Sequence, residues 1–189
     1  MTEIPATPTR RRLLLGLAAL PAAASLSACA QAMAGPGAGT APGRLILEAR
    51  LAERRRSYRV GEVVSLFLRV NQPAQVAILN IDAEGRVTVL RPNRLAPDAA
   101  FPAGRWLQFP PPGSNFVLQV AEPLGRNEIR VLATASRRPL LPAALLRPDA
   151  SGFNHFEGGA VVLERHLQTH ALADADQVAE QRLHFRVIP

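Results

Sequence analysis

Three apolar runs separated by turn residues, all between residues 58 and 93, limit most strongly what this chain can fold into. The run at 64–70 places apolar residues at every second position, and the run at 75–81 is almost entirely apolar. Alternation with a period of two is typical of a strand with one buried face, whereas a short continuous apolar run indicates a strand buried on both faces. The turn residues Asp82–Gly85 follow, and apolar residues at 87 and 89 resume the alternation. The sequence therefore predicts an antiparallel hairpin that contains a central strand.

The same alternation recurs along the rest of the chain, with 17 prolines and 13 glycines in the sequence to make turns. Its further members are the runs at Leu45–Leu51, Arg105–Phe109, Phe116–Val120, Ile129–Ala133 and Leu183–Val187. Short strands separated by turn signals are typical of two packed sheets. We expect a mainly β domain over residues 44–189, an antiparallel, immunoglobulin-like β-sandwich of about seven to eight strands.

One segment departs from this pattern and predicts a helix inserted before the last strand. Between Gly158 and Ala173, apolar residues recur at helical spacing and form a narrow stripe at Ala160, Leu163, Leu167 and Ala171. The preceding stretch at 138–156 predicts an irregular excursion with at most one helical turn near Ala143–Leu146. The whole insertion covers about residues 135–175.

The N-terminus carries the features of an export signal. Arginines at 10–12 run directly into an apolar segment, Leu13–Ala24, which is shorter than the ~20 residues that a membrane span needs. Leu26–Cys29 then resembles a lipobox, in which the cysteine is lipidated and becomes the new N-terminus; a small buried thiol is the alternative reading. Residues 1–28 are therefore interpreted as a signal peptide. The arginines before Leu13 and Leu14 make it resemble a twin-arginine signal, with a general secretory signal as the alternative.

Residues 29–43 are interpreted as a lipidated tether, because Ala, Gly and Pro dominate them and no charged residue occurs. Acyl chains at Cys29 would attach the domain to a membrane. The residue after Cys29 is alanine rather than aspartate, and resemblance to sorted lipoproteins then implies the periplasmic face of the outer membrane. We expect a protein of the bacterial cell envelope.

The formal charge of +7 raises the question of nucleic-acid binding. The arginines are spread along the chain, apart from short clusters at 54–56 and 137–138, and aromatic residues make up only 5%. A surface that stacks bases would need aromatic side chains interleaved with the basic ones. We therefore expect no nucleic-acid partner.

The central stretch resembles domain-of-unknown-function family 4384. The residues that carry the resemblance are Tyr58–Glu62 as a Y-x-x-G-E opening, Ile78–Gly85 as the strand and D-x-x-G turn, and Arg91–Asn93 as the closing P-N. The resemblance extends over residues 45–134 and the last strand. It implies an accessory β-sandwich found in bacterial exported and lipid-anchored proteins, and it brings no active site with it.

Histidines of the insertion are candidates for a metal site. His166 and His170 are four residues apart and would share one helix face, and His155, Glu157 and Asp174 are possible further ligands. A zinc protease has glutamate directly after the first histidine, where this chain has Leu167, so that chemistry is excluded. Solvated histidines are the preferred interpretation, and we expect no metal and no cofactor.

Two predicted loops offer further candidate sites. His155 beside Asn154 could act as a base in a mobile loop, but no nucleophile elbow or mature cysteine accompanies it. Asp82 and Glu84 could bind a cation at the hairpin tip, although a turn that uses the aspartate for its own backbone explains them better. Gly158–Gly159 alone is too little for a phosphate loop.

The function expected from the sequence is therefore that of a lipid-anchored, non-catalytic binding or accessory module for an unidentified envelope protein. The alternative is a metal-binding protein or an enzyme that uses the histidines of the 135–175 insertion.

Overall fold

A computed structural model of the chain describes residues 43–137, 139–173 and 177–189, without the side chains of residues 170–173. The predicted signal peptide, the lipobox cysteine Cys29 and nearly all of the tether lie outside the described residues. Within these ranges, no helix is both long enough and apolar enough to cross a membrane.

The described chain consists of short strands with one α-helix. In chain order the strands are β1 (Leu47–Leu51), β2 (Ser57–Arg59), β3 (Val63–Val64), β4 (Leu66–Val70), β5 (Ala74–Ile81), β6 (Val87–Arg91), β7 (Ala100–Phe101), β8 (Leu107–Phe109), β9 (Leu118–Gln119), β10 (Gly125–Thr134), β11 (Leu146–Pro148), β12 (Asn154–Phe156) and β13 (Val178–Ile188). A 3₁₀ turn at Ala143–Leu145 precedes β11, and helix α1 spans Gly159–Ala173.

The strands form one large sheet and two small ones. The large sheet has the order β11–β12–β6–β5–β10–β13–β2, and β7 pairs with the first residues of β5. A three-stranded sheet has the order β1–β4–β8, and β3 pairs with β9 alone. The pairs are antiparallel, with the exception of β13 and β2, which run parallel.

The large sheet is covered on both faces, and β5 shows this most clearly. Its residues Ala74, Val76 and Ile78 pack against the small sheets, on what we call the inner face. Its residues Ala77, Leu79 and Ile81 point the other way and pack in a second cluster with Leu163 and Leu167 of α1, on the helix face. Because successive residues of a strand point to opposite sides, an all-apolar strand requires a layer on each side. The result is three layers: small sheets, large sheet and helix.

The start of α1 is fixed to the hairpin between β5 and β6. The amide of Ala160 donates a hydrogen bond of 2.9 Å to the carbonyl oxygen of Gly85. Gly159 has a positive φ of 62°, and a Cβ there would lie 2.8 Å from that same oxygen. Glycine is therefore required at position 159 by close backbone approach. This gives the Gly158–Gly159 pair a structural role at the helix N-terminus.

An ion-pair network joins α1 to the sheet beside this second cluster. The Arg130 side chain on β10 is only 6% exposed, and its Nε and Nη1 lie 2.7 Å from carboxylate oxygens of Glu128 and Glu164, respectively. Glu180 on β13 is 3.4 Å from the same Nε. The hydrogen bond from Arg130 lowers the pKa of the Glu164 carboxyl below its ordinary value near 4.5. A buried arginine with three glutamates thus connects β10, β13 and the helix.

The residues of the Y-x-x-G-E opening serve the fold. Tyr58 is buried and packs edge-on against Phe185, with ring centroids 5.4 Å apart. Gly61 has a φ of 91°, and a carboxylate oxygen of Glu62 accepts the Arg59 amide at 2.7 Å. These contacts fix the chain between β2 and β3.

The closing P-N motif is also structural. Asn93 is 4% exposed; its Oδ1 accepts the amides of Leu95 at 2.7 Å and Ala96 at 2.6 Å, while its Nδ2 donates to the carbonyl of Leu90. These three hydrogen bonds compensate for the contacts with water that the amide group loses on burial.

The sequence-based prediction of a mainly β, largely antiparallel fold with one helix before the last strand is confirmed. The β5–β6 hairpin, the 3₁₀ turn at Ala143–Leu145 and the α1 stripe at Leu163 and Leu167 all form as expected. The structure adds the β11–β12 hairpin within the stretch predicted as irregular, and the described residues form thirteen strands rather than the seven to eight expected. Strands β10 and β13 are longer than the runs that predicted them. Ala171 of the predicted stripe has no described side chain.

Replacing Arg130 with methionine should reduce the free energy of unfolding by about 2–3 kcal/mol. The partly exposed carboxylates lower the effect from the roughly 3–5 kcal/mol lost when a fully buried pair is broken. Urea titration measures the change. Arg126→Met, at an exposed position on the same strand, is the control and should change stability by less than about 0.5 kcal/mol.

Acid titration gives a second readout of the same variant. The depressed pKa of Glu164 contributes stability above about pH 4.5 that is lost as the pH falls through the lowered value. Arg130→Met should therefore flatten the decline of stability below pH 4.5. An unchanged decline would contradict the role assigned to Arg130.

Candidate functional site

A cleft of about 370 Å³ opens at one end of the sandwich, between the inner face of the large sheet and the small β3–β9 sheet. Its floor comes from β6, β10 and β13, and its roof from residues 117–122 around β9. Its lining combines the charged residues Asp82, Arg86 and Glu122 with apolar side chains that include Leu90, Ile129, Phe153, Leu118 and Val187. This volume falls within the range of small-molecule sites, which are mostly apolar with a few convergent polar groups.

Polar side chains cross the floor of this cleft in a single row. On the paired strands, His155 of β12 is opposite Thr88 of β6, and Thr88 is opposite Asn80 of β5. Asn80 has the same parity along β5 as the inward residues Ala74, Val76 and Ile78. A sheet face that is otherwise apolar thus turns polar where the cleft lies. We call His155, Thr88, Asn80 and the adjacent Asn127 the polar row.

Two amides of the polar row have capacity for further hydrogen bonds. Asn127 is only 3% exposed, and within the described residues its side chain has one long contact, 3.5 Å from Nδ2 to the Gly125 carbonyl. The half-buried Asn80 makes no side-chain hydrogen bond to a described residue. Buried polar groups in folded proteins are nearly always hydrogen-bonded, to protein, water or ligand. Both asparagines line the cleft, where a bound molecule could reach them.

His155 is held at the rim of the cleft by Asp149. Its Nε2 lies 2.8 Å from a carboxylate oxygen of Asp149, and its Nδ1 lies 3.5 Å from the Thr88 hydroxyl. Hydrogen bonds from Ser151 and from His155 hold the pKa of the Asp149 carboxyl below its ordinary value. Asp149 thereby orients the ring, with Nδ1 directed at Thr88.

Asp149, His155 and Thr88 stand in the order carboxylate, imidazole and hydroxyl that some hydrolases use. The Thr88 to His155 distance is at the outer limit of a hydrogen bond. The other oxygen of Asp149 accepts the amides of Gly152 at 3.0 Å and Phe153 at 3.2 Å, which close the turn between β11 and β12. The carboxylate of Asp149 thus stabilises the turn between β11 and β12. The imidazole of His155 adds a hydrogen-bonding group to the polar row.

The histidines proposed for a metal site are not brought together with further ligands. His166 Nε2 lies 3.1 Å from the Leu140 carbonyl oxygen, whereas His155 belongs to the cleft on the opposite face. No group of three or more His, Cys, Asp or Glu residues is placed to hold a metal within the ranges that the structure describes. The side chain of His170 and all of Asp174 lie outside those ranges, so the metal hypothesis remains a prediction.

The hairpin-tip acids are occupied within their own turn. Asp82 Oδ1 accepts the amides of Glu84 at 2.9 Å and Arg86 at 3.0 Å, and Oδ2 lies 2.7 Å from Nε of Arg86. The Glu84 carboxylate lies 3.3 Å from the same arginine. Neither acid presents a free oxygen pair to a cation.

Sequence reasoning named His155 but missed Asn80, Thr88, Asn127 and Asp149. Asn80 and Asn127 carried a usable signal, since both occur at inward positions of their strands, where an apolar residue is expected. Thr88 carried none, because only the pairing of β12 with β6 brings it to His155. Asp149 is six residues before His155 and reaches it across the β11–β12 hairpin, which the sequence analysis did not predict.

Comparison with known families supports the sequence-based resemblance. Residues 57–137 match the model of a family described as a domain of unknown function (DUF4384), so this part of the chain carries that domain. The match spans β2 to β10 and omits β1, β11, β12, α1 and β13. No curated protein matches the chain.

Replacing Asn80 with valine should raise the free energy of unfolding by about 0.5–1 kcal/mol, because a β-branched apolar side chain suits a half-buried strand position better than an amide does. Thermal unfolding measures the effect.

Asn93→Val is the matched control, and it should lower the free energy of unfolding instead of raising it. It should cost about 2–4 kcal/mol, because it leaves the buried amides of Leu95 and Ala96 without an acceptor. Equal losses for both variants would contradict the assignment of Asn80 to a ligand site.

Proposed function

We propose that this chain is a lipid-anchored, non-catalytic binding module of the bacterial cell envelope, and that the cleft holds part of another envelope component. Cys29 is the proposed site of lipidation. Ala30 after it favours the periplasmic face of the outer membrane.

The observation that carries this proposal is the polar row on an otherwise apolar sheet face. Asn127, 97% of whose surface is covered, has one weak internal hydrogen bond, and Asn80 beside it has none among the described residues. Among the described residues the one buried side-chain atom without a hydrogen-bond partner is Nε of Arg91, so the free polar atoms of both asparagines reach the cleft and are available to a ligand. Binding of a partner is the reason that we infer for their presence.

The lining of the cleft indicates the chemistry of what it binds. The rest of the lining is mostly apolar and includes Leu90, Ile129 and Phe153, and its charged residues Asp82 and Arg86 are paired with each other. The row offers two amides, a hydroxyl and an imidazole, and each of these groups can both donate and accept. We infer a ligand segment with an apolar body and neutral hydrogen-bonding groups along one edge, such as amides or hydroxyls.

The lipid anchor is supported by the leader sequence. The apolar segment is followed at once by Leu26–Cys29, and Cys29 is the single cysteine of the chain. The proposed acylation would hold the domain close to the membrane surface, where it meets other envelope components.

Cys29→Ser should abolish metabolic labelling with a fatty-acid analogue and should move the protein from the membrane to the soluble fraction. The thiol is the acceptor of the acyl chains, and a hydroxyl does not replace it in this processing. Labelling that persists in the Cys29→Ser protein would refute the anchor but would leave the cleft proposal open.

A photo-crosslinking residue placed at Val117 should capture the partner in living cells. Val117 lines the cleft and is 60% exposed, so a benzoylphenylalanine there can reach a bound molecule. Val161 on α1 is 72% exposed but outside the cleft, and it serves as the matched control position.

We expect a discrete crosslinked product from position 117 that position 161 does not give. Adding Asn80→Val should reduce its yield at least fivefold, because the polar row loses an amide. A product with the same yield in the Asn80→Val background, or one formed equally from position 161, would overturn the cleft as the binding site.

A further inference from the structure

The outer face of the three-stranded sheet carries aromatic and arginine side chains in two rows. Strand register places Glu48 opposite Arg69 in one row, and Arg50, Phe67 and Gln108 in the next. Trp106, just before β8, lies beside Arg69. We call these six residues the platform. It lies on the side of this sheet away from the core, because the intervening residues of β4, Leu66, Leu68 and Val70, are buried.

The platform is organised by contacts between its own side chains. The Arg50 guanidinium lies 4.7 Å from the Phe67 ring centroid and 5.3 Å from that of Trp106. Arg69 lies 5.4 Å from the Trp106 ring and makes a two-point hydrogen bond to Glu48 at 2.8 and 3.0 Å. Cation–π and charge-assisted contacts therefore hold the two arginines beside the indole.

Large apolar side chains are exposed in and beside the platform. Trp106 is the only tryptophan of the chain and is 39% exposed, and Ile46, just before β1, is 54% exposed. Ile46 interrupts the polar positions of the β1 alternation, since both Leu45 and Leu47 beside it are buried.

The charge of this region is positive. The platform has two arginines, Arg50 and Arg69, and one acidic residue, Glu48. The adjoining Arg44 and Arg105 are exposed. Arginine and tryptophan together are the side chains that favour the headgroup level of a bilayer, where one end of the group is apolar and the other is solvated.

The platform also lies close to the first described residues of the chain, 43–46. Asn71 donates from Nδ2 to the Arg44 carbonyl at 3.0 Å and accepts the Ile46 amide at 2.8 Å, and Gln72 donates to the Gly43 carbonyl at 3.2 Å. These bonds fix residues 43–46 to the turn after β4. Only about 14 residues separate Cys29 from this point, and they span at most ~50 Å when fully extended.

We propose that the platform docks on the surface of an anionic phospholipid bilayer, with Trp106 and Ile46 at the headgroup level and Arg50 and Arg69 on lipid phosphates. This goes beyond the proposed function, and the lipid anchor postulated there would keep the platform at a high local concentration near the membrane. Docking through the platform would give every copy of the domain the same orientation on the membrane.

Trp106 makes the experiment direct, because its fluorescence is the only tryptophan signal of the chain. The full exported chain carrying Cys29→Ser, which has no acyl chains, is mixed with vesicles of phosphatidylglycerol and phosphatidylcholine or of phosphatidylcholine alone. We expect a blue shift and co-sedimentation only with the anionic vesicles, both lost at high salt.

Charge removal tests the contact residues. The double change Arg50→Gln and Arg69→Gln should lower partitioning about 30-fold, since each arginine near an anionic surface contributes a factor of roughly five. The matched control removes Arg126 and Arg186, an exposed cross-strand pair elsewhere, with the same change of net charge.

A control variant that loses as much affinity as the platform variant would overturn the proposal in favour of general electrostatic attraction. An unshifted Trp106 spectrum in vesicles that do sediment the protein would overturn it as well. Because the protein is not acylated in this assay, neither result depends on whether Cys29 is the lipidation site or on what the cleft binds.

Discussion

Burial of β5 on both faces is the constraint on which the rest of the structure depends. Its alternate residues enter two separate apolar clusters, so a layer must cover each side of the sheet. The small sheets form one layer, and the 135–175 insertion provides the other through Leu163 and Leu167. The helix is therefore part of the packing of the domain, and Arg130 with its three glutamates fixes it to β10 and β13.

Most of this framework could be predicted from local sequence, and the reason is its short-range patterning. The β5–β6 hairpin follows from Asp82–Gly85, and the helix follows from a stripe at helical spacing. The β11–β12 hairpin escaped prediction because its strands have three residues each, one of them Pro148. The polar row could be predicted only in part. The inward asparagines are visible in the strand pattern, whereas the contact of His155 with Thr88 depends on pairing between residues 67 positions apart.

The cleft and the platform lie on different parts of the sandwich and use opposite chemistries. The cleft places neutral groups with unused hydrogen-bonding capacity over an apolar wall, which suits a ligand read by shape and hydrogen bonds. The platform places cations beside an exposed indole, which suits a charged, extended surface. The two proposals together describe a domain held at a membrane by one face while a separate site remains open to a partner.

The position of β13 has a consequence for how the domain folds. It lies between β10 and β2, and its parallel partner β2 is about 130 residues earlier in the chain. Closing so long a loop is an entropic cost that slows folding, since contacts of high sequence separation form late. The DUF4384 match at 57–137 does not include β13, so that stretch alone would expose the edges of both β10 and β2. The stretch matched by the family model is thus shorter than the part of the chain that completes the large sheet. A fragment cut at the limits of that match would lack β13.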